Sequence, residues 1–334
     1  MAYTTIDDPT LFFSATLYTG NGSNDRAVTI DGTGMQPDMI WIKQRSSTEA
    51  HVLGDTVRGV NRKLVPNDTD AQSSATSYTN IDAVNSTGFT LSKTGGGVDG
   101  AVNQNTATYV SWCWKESATA GFDMVGYTGD GQANRTFNHS LGVTPEHIWF
   151  KRTDATNNWI NYDKTLGTGH YLTFNLNGTT DSASGAWCTP GSSSVQLNQA
   201  FTATNANTAT YMAYCFASVQ GYLKVGTYKG NGNSDGTFVY TGFRPAFLIY
   251  KNTDTADNWF LHDNKRQGYN DQNELLFGDI TQAESTVDRI RFCANGFKAL
   301  DSDKGVNKSG DDYIYMAIAE QPLVNSNGVP GNAR

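Results

Sequence analysis

The chain has 334 residues and a formal net charge of −8, with 24 basic residues scattered along it. This acidic balance argues against nucleic acid as a partner, because nucleic-acid binding needs clustered Lys and Arg. There is no apolar run of about 18 residues, so we expect no insertion into a membrane. The N-terminus does not resemble a secretory signal, so we expect the chain to be made in a cytoplasm.

A short arm, residues 1–10, precedes the first predicted strand. It carries Tyr3, Ile6 and Pro9 among polar residues and is too short to form a domain. We expect it to dock on a neighbouring subunit or on another protein.

The rest of the chain is dominated by an internal repeat. A Tyr-x-Gly-x-Gly motif begins at Tyr18, Tyr127 and Tyr228, and each copy is followed by Gly-x-x-Pro. A short apolar segment comes next, at 40–43, 148–151 and 248–251, and we predict that each is a strand. An apolar segment also closes each copy, at 109–114, 211–216 and 313–318. This self-similarity predicts three tandem domains, residues 11–117, 121–218 and 221–320, with a C-terminal tail, residues 321–334.

Each copy has the pattern of an all-β domain. Gly, Asn and Asp are frequent, as in tight turns, and Asn-Gly or Asp-Gly after the first strand favours a hairpin. The closing segment alternates small residues, such as Ser111 and Cys113, with large ones, such as Trp112 and Trp114. A strand of this kind fits the middle of a two-sheet core, so we predict three β-sandwiches of jelly-roll or concanavalin-like type. The joints between copies are only three or four residues long, which predicts packed domains.

A lysine and an aspartate recur twelve residues apart in every copy. The pairs are Lys43 and Asp55, Lys151 and Asp163, and Lys251 and Asp263, and a ring lies between them at His51, Trp159 and Trp259. A tuned acid–base pair is one interpretation. A structural ion pair or a turn cap is the other, and we favour it because three identical active sites in one chain would be unusual.

Other residue types that carry chemistry follow no such pattern. The five histidines do not recur at matched positions, and the four cysteines, which include Cys113 and Cys215 in apolar segments, are expected to be buried free thiols. The Asn-Gly loops faintly resemble calcium loops but lack the bidentate Glu of an EF-hand, so we interpret them as turns. We expect no catalytic residue, no metal and no cofactor, and we do not expect an enzyme.

Two long segments differ between the copies while the frame around them repeats. Residues 67–105 contain Tyr78, and residues 175–207 contain Trp187. Aromatic rings stack on sugars and amides bind their hydroxyls, so Tyr78 and Trp187 are candidate surface contacts for a glycan. Inert packing loops are the alternative.

The opening segment 1–9, the Tyr-Thr-Gly-Asn-Gly motif, and the segments 240–247 and 319–330 resemble a family of bacteriophage proteins common in marine and cyanobacterial phages. The resemblance covers nearly the whole chain and implies a virion structural protein with repeated SPRY-like or concanavalin-like sandwiches, often labelled a tail fibre.

From this resemblance we expect a tail fibre or adhesin that binds a host-surface glycan through its loops. A capsid-decorating or head-fibre protein is the alternative, and a glycan-active enzyme is a remote third. Other virion proteins are the expected partners. Self-association is also expected, with a trimer favoured by analogy with phage fibres.

Overall fold

The computed structural model describes residues 3–32, 34–74, 79–93, 100–183, 185–266 and 272–331. It confirms an all-β fold of antiparallel sheets. Among these residues there are two α-helices of four residues each, α1 (Gly100–Asn103) and α2 (Thr202–Asn205), and two 3₁₀ turns, at Pro9–Leu11 and Lys164–Leu166. Within the described ranges, no helix has the length and apolar character needed to cross a membrane.

In the described part of the first repeat there are nine strands in sequence order. They are β1 (Phe13–Thr19), β2 (Arg26–Thr29), β3 (Met39–Gln44), β4 (Val52–Asp55), β5 (Arg62–Lys63), β6 (Ser73–Ser74), β7 (Thr79–Asn85), β8 (Gly88–Lys93) and β9 (Thr108–Trp114). One sheet has the order β1-β9-β3-β4 and a second has the order β2-β8-β7, while β5 and β6 form a two-stranded sheet.

The second repeat follows the same plan. Its strands are β10 (Phe122–Thr128), β11 (Arg135–Asn138), β12 (His147–Arg152), β13 (Trp159–Asp163), β14 (His170–Thr173), β15 (Asp181–Ser182), β16 (Cys188–Pro190), β17 (Ser194–Leu197) and β18 (Thr210–Phe216). The larger sheet has the order β10-β18-β12-β13-β14-β15, and the smaller has the order β11-β17-β16.

The third repeat joins its two sheets into one. Its strands are β19 (Leu223–Lys229), β20 (Phe238–Tyr240), β21 (Phe243–Asn252), β22 (Phe260–Asp263), β23 (Gln272–Phe277), β24 (Ser285–Cys293), β25 (Gly296–Ala299) and β26 (Asp312–Pro322). The order is β19-β26-β21-β22-β23-β24-β25-β20, so the recurring four-stranded unit is present at one end. β26 extends through Pro322, two residues beyond the predicted end of the repeat.

The predicted hairpin after each first strand is wrong. β1 pairs with β9, whereas β2 pairs with β8 in the other sheet, so the Asn-Gly loop crosses between sheets instead of turning back. The positive φ that the glycines suggested is present, at 66° for Gly22, 67° for Gly131 and 70° for Gly232. The turn chemistry was therefore predicted from the sequence, but the pairing of the strands was not.

The closing strand lies in the middle of each main sheet, and its two faces contact different cores. On β9, Cys113 packs into the core of its own repeat with Ile40 and Tyr109. Trp112 and Trp114 lie on the opposite face and belong to a cluster that residues of all three repeats share. The small face therefore fills the sandwich, while the large face binds the repeats together.

The shared core consists largely of aromatic rings. Trp41 of the first repeat lies 5.9 Å from Trp149 of the second, measured between ring centroids. Phe174 of the second repeat lies 5.8 Å from Trp41 and 4.9 Å from Trp259 of the third. Rings at such distances contribute attraction beyond their buried area, so the predicted packing of the domains against one another is confirmed.

The N-terminal arm packs within its own chain. The Tyr3 hydroxyl donates to the Gly242 carbonyl at 2.8 Å, Ile6 is buried in the shared core, and Asp7 accepts from the Ser326 backbone NH at 2.7 Å. The arm therefore lies against its own chain, where Tyr3 reaches the third repeat and Asp7 the C-terminal tail, and docking of the arm on another protein stays a prediction.

Candidate functional site

The recurring Lys and Asp do not meet. In the hairpin of β3 and β4, Met39 is opposite Asp55 and Ile42 is opposite Val52, so Lys43 and Asp55 lie at opposite ends. The same register separates Lys151 from Asp163, because Trp159 is opposite Lys151. The ion-pair interpretation is thus wrong for geometric reasons, and each residue type has its own role.

Each recurring aspartate caps the turn that follows its strand. One oxygen of Asp55 accepts from the Arg58 backbone NH at 2.9 Å, and one of Asp163 accepts from the Thr165 NH at 2.9 Å. Asp263 accepts from the NH of Arg266, also at 2.9 Å. The turn-cap alternative is therefore the one observed.

The second oxygen of the aspartate links two repeats at two of the three positions. Asp55 accepts from the Tyr214 hydroxyl of the second repeat at 2.7 Å, and Asp263 accepts from Trp112 Nε1 of the first repeat at 3.0 Å. Tyr214 and Trp112 are at matched positions of their closing strands. The contact thus runs from the first repeat to the second and from the third back to the first.

The second repeat uses a different partner. In the same cyclic order, Asp163 would contact the residue of the third repeat that matches Trp112. That residue is Met316, whose side chain has no polar hydrogen to donate. Asp163 instead lies 2.8 Å from Nδ1 of His147 in its own repeat, and Nε2 of His147 accepts from Trp149 Nε1 at 2.8 Å. This network is fully buried, so it holds the core together and has no access to a substrate.

The aromatic position between Lys and Asp closes the repeats into a ring. Trp159 Nε1 donates to the Val65 carbonyl of the first repeat at 2.9 Å, and Trp259 Nε1 donates to the Thr173 carbonyl of the second at 3.4 Å. His51 of the first repeat reaches the Ile280 carbonyl of the third at 3.2 Å.

His51 makes this contact as a neutral ring. Burial, reinforced by the charge of Lys43, lowers the pKa of His51 to about 3. Its Nδ1 accepts from Trp41 Nε1 at 2.8 Å, so the proton is on Nε2 and is donated to Ile280. A neutral His therefore substitutes for Trp as the donor between repeats.

A backbone hydrogen bond repeats at all three interfaces. The NH of Gln72 donates to Thr153 O at 2.9 Å, and the NH of Thr180 donates to Thr253 O at 3.1 Å. The NH of Glu284 donates to Arg45 O at 2.8 Å. Each bond joins one repeat to the next in cyclic order, so the three repeats form a closed ring with approximate threefold symmetry.

The three recurring lysines are buried and bind backbone carbonyls. Lys43 Nζ donates to Gln44 O at 2.7 Å, Lys151 Nζ to Thr69 O at 2.8 Å and Lys251 Nζ to Asn252 O at 2.6 Å. Burial lowers the pKa of each to about 8. None of the three forms an ion pair within 4.0 Å with a described residue, so their direct partners are carbonyl oxygens, while carboxylates farther away, such as Glu49 and Asp70, oppose the lowering of the pKa.

The two candidate surface contacts have different outcomes. Trp187 is 1% exposed and packs in the core of the second repeat, where Nε1 donates to the His170 carbonyl at 2.9 Å. Its assignment as a surface contact is therefore wrong, because the long segment folds inward at this residue. Tyr78 lies outside the described residues.

Sequence reasoning missed a buried asparagine in each repeat. Asn103, Asn205 and Asn307 accept from the backbone NH of Asn21, Asp130 and Asn231 at 2.9–3.0 Å, and thus anchor the three Asn-Gly-type loops. Each lies six residues before the first Tyr of the closing segment, and this fixed spacing could have revealed it. Among the described residues, no group of three or more His, Cys, Asp or Glu side chains is arranged to hold a metal ion.

Two grooves lie at matched places between repeats. The first groove, between repeats one and two, has a volume of about 430 Å³. It is lined by Val57, Arg58, Arg62, Gln72, Gly126, Tyr127, Thr128, Thr153, Thr210, Tyr211 and Met212. The second groove, between repeats two and three, has a volume of about 630 Å³. It is lined by Thr165, Leu166, His170, Thr179, Thr180, Ser182, Thr227, Thr253, Asp254, Asp312, Tyr313 and Ile314.

Most lining positions of the two grooves match. Gln72 corresponds to Thr180 and Thr153 to Thr253, the pairs that carry the repeated backbone bond. At the third interface the same positions hold Glu284 and Arg45, whose side chains form an ion pair at 2.6 Å. A pair of large charged side chains therefore occupies the place that is open at the other two interfaces.

Searches of curated proteins and of solved structures gave no match. One family model matches residues 8–322, which is nearly the whole chain and spans the three repeats together. A match that spans all three repeats agrees with a ring in which the repeats share a core. The chain belongs to the family described as "Domain of unknown function (DUF7483)".

Proposed function

We propose that this protein is a structural component of a phage particle, a tail fibre or adhesin whose rigid ring of sandwiches presents binding surfaces to a host. The observation that carries this proposal is the use of the recurring polar residues. The recurring aspartates cap turns, the recurring aromatic residues make contacts between repeats, and the recurring lysines donate to backbone carbonyls. Residues that recur for such purposes support an architectural role for the repeat.

The resemblance to phage structural proteins supports a place on a phage particle, and the rigid ring suits a protein in that place. A particle component must keep its shape under mechanical load, and a shared aromatic core resists separation of the domains because separation would expose large apolar surfaces.

A capsid-decorating protein is the second candidate, and the approximate threefold symmetry favours it. A ring with three similar faces can make equivalent contacts with three neighbours around a local threefold axis. Location on the particle separates the two candidates. Electron microscopy of particles labelled with an antibody against this chain should place the label on the tail for an adhesin and on the head for a decorating protein. Particles without label would contradict both.

The proposed self-association is tested separately. An adhesin of the fibre type is expected to form a homotrimer, which light scattering of the purified protein at micromolar concentration would detect as three times the chain mass. A monomer would indicate that the ring of three repeats within one chain replaces the trimer.

A further inference from the structure

We infer that the second groove is a carbohydrate-binding site for a neutral oligosaccharide. This inference rests on the proposed attachment role and names the surface that would perform it. The volume of about 630 Å³ lies within the range of small-ligand sites, about 300–1,000 Å³.

The lining has the chemistry that a neutral sugar requires. The side chains of Thr179, Ser182 and Thr227 are exposed along the groove and supply hydroxyls that can both donate and accept. The exposed Thr165 hydroxyl donates to Asp163 and can accept. Leu166 provides a half-buried apolar side chain against which a sugar ring can pack. Hydroxyl groups with a small apolar patch match the mixed surface of a pyranose.

Charge at the rim selects against acidic sugars. Asp254 and Asp312 line one side, and both are exposed. Lys229 pairs with Asp312 at 2.7 Å, which leaves Asp254 as the unbalanced charge of this trio. The first groove differs in charge, since Arg58 and Arg62 line it. Neutral sugars are therefore expected in the second groove.

The frame of the groove is held rigidly while its lining varies. The Thr180 NH and hydroxyl both donate to Thr253 O at 3.1 Å, and the Thr253 hydroxyl donates to Asp312 O at 2.9 Å. The same backbone bond is present at the other interfaces with different side chains around it. A fixed scaffold with variable lining is the usual arrangement of a binding surface, and a preformed site binds with little ordering cost.

The third interface shows which side chains would fill the groove. Thr253→Arg combined with Thr180→Glu would place in the second groove the ion pair that Arg45 and Glu284 form elsewhere in the chain. The matched control is Thr153→Arg with Gln72→Glu, which makes the same change in the first groove. A second variant, Thr227→Leu, removes one exposed hydroxyl and installs the residue that the first repeat carries at this position, Leu17.

The test uses the full-length protein on an array of neutral and acidic oligosaccharides, followed by calorimetry with the best-retained glycan. We expect a neutral glycan to bind, the second-groove double variant and Thr227→Leu to bind at least tenfold more weakly, and the first-groove control to bind like the wild type. Circular dichroism confirms that each variant is folded.

Retention of acidic glycans alone, retention of no neutral glycan, or equal binding by the wild type and both second-groove variants would overturn the inference. Loss of binding in the first-groove control alone would place the site in the other groove and would also overturn it. Particle labelling is independent of these outcomes, so a labelled particle whose protein binds no neutral sugar would refute this site and leave the structural role standing.

Discussion

Arg58 and Arg266 neutralise carboxylates that the fold buries completely. Arg266 Nε lies 2.5 Å from Asp263, and the side chains of both residues are 0% exposed. Burial alone would raise the pKa of Asp263, but the charge of Arg266 and its hydrogen bonds hold that pKa below its ordinary value. In the first repeat Arg58 Nε donates to Asp55 in the same way, at 2.7 Å.

Replacing Arg266 by Met should therefore destabilise the whole chain. The change leaves a buried negative charge without its cation, a type of loss that costs about 3–5 kcal/mol. Urea denaturation followed by fluorescence measures it. The control is Lys229→Met, which breaks an ion pair whose side chains are 61% and 54% exposed and which solvent screens, so its loss should be much smaller. Equal losses in the two variants would contradict the argument.

The buried lysines predict an unusual dependence of stability on pH. Burial lowers the pKa of Lys151 from 10.5 to about 8, although Asp70 and Asp68 oppose the shift. Between these two values the unfolded chain binds more protons than the folded one, so the penalty for burying the charge is complete below pH 8 and is relieved as pH rises towards 10.5.

Comparison of the wild type with Lys151→Met isolates this effect. The free energy of unfolding of the wild type should rise relative to that of the variant between pH 8 and 10.5, by at most about 1.4 kcal/mol per pH unit. Buried Cys113, whose pKa is raised to about 12, contributes an opposite trend, but it is present in both proteins and cancels. If the free energies of unfolding of the two proteins differed by the same amount at every pH in this range, Lys151 would have its ordinary pKa.

At the scale of elements, the positions of the strands were predicted better than the loops that connect them and the pairing between them. The expected segments 40–43, 148–151 and 248–251 all lie within observed strands, because apolar β-branched and aromatic runs leave little choice. The turn after the first strand was misassigned because a positive φ at Gly is compatible with a hairpin and with a crossing loop. The buried Asn that holds the loop in its crossing path was not recognised from the sequence.

Asn205 illustrates how such a loop is held. Its side chain is 0% exposed, accepts from the Asp130 NH at 3.0 Å and donates to the Gln132 carbonyl at 2.7 Å. Asn205→Ala should leave these backbone groups unsatisfied and cost about 1–3 kcal/mol. Hydrogen exchange should show lost protection at Asp130 first. Unchanged protection there, together with wild-type stability, would contradict an anchoring role.

At the scale of the whole molecule, the sequence showed three repeats but not the ring. The alternation of small and large residues on the closing strand was evident, yet its large face was assigned to a sandwich core. In the structure this face contacts the other repeats, and some of the contacts between repeats join residues more than 150 positions apart, such as Trp112 and Asp263. Partners so distant leave no local periodicity, so neither the shared core nor the grooves between repeats could be predicted.

The ring predicts that no repeat is stable alone. Residues 119–220 expressed by themselves would expose Trp149, Trp159 and Tyr214, which the shared core buries. Exposing each large apolar side chain to water costs about 1.5–3 kcal/mol, and the free energy of unfolding of a domain is only about 5–15 kcal/mol. We expect the fragment to show no near-ultraviolet dichroism and no cooperative melting, whereas the full chain melts in a single transition. A folded, cooperatively melting fragment, or three separate transitions in the full chain, would show that the repeats are independent domains.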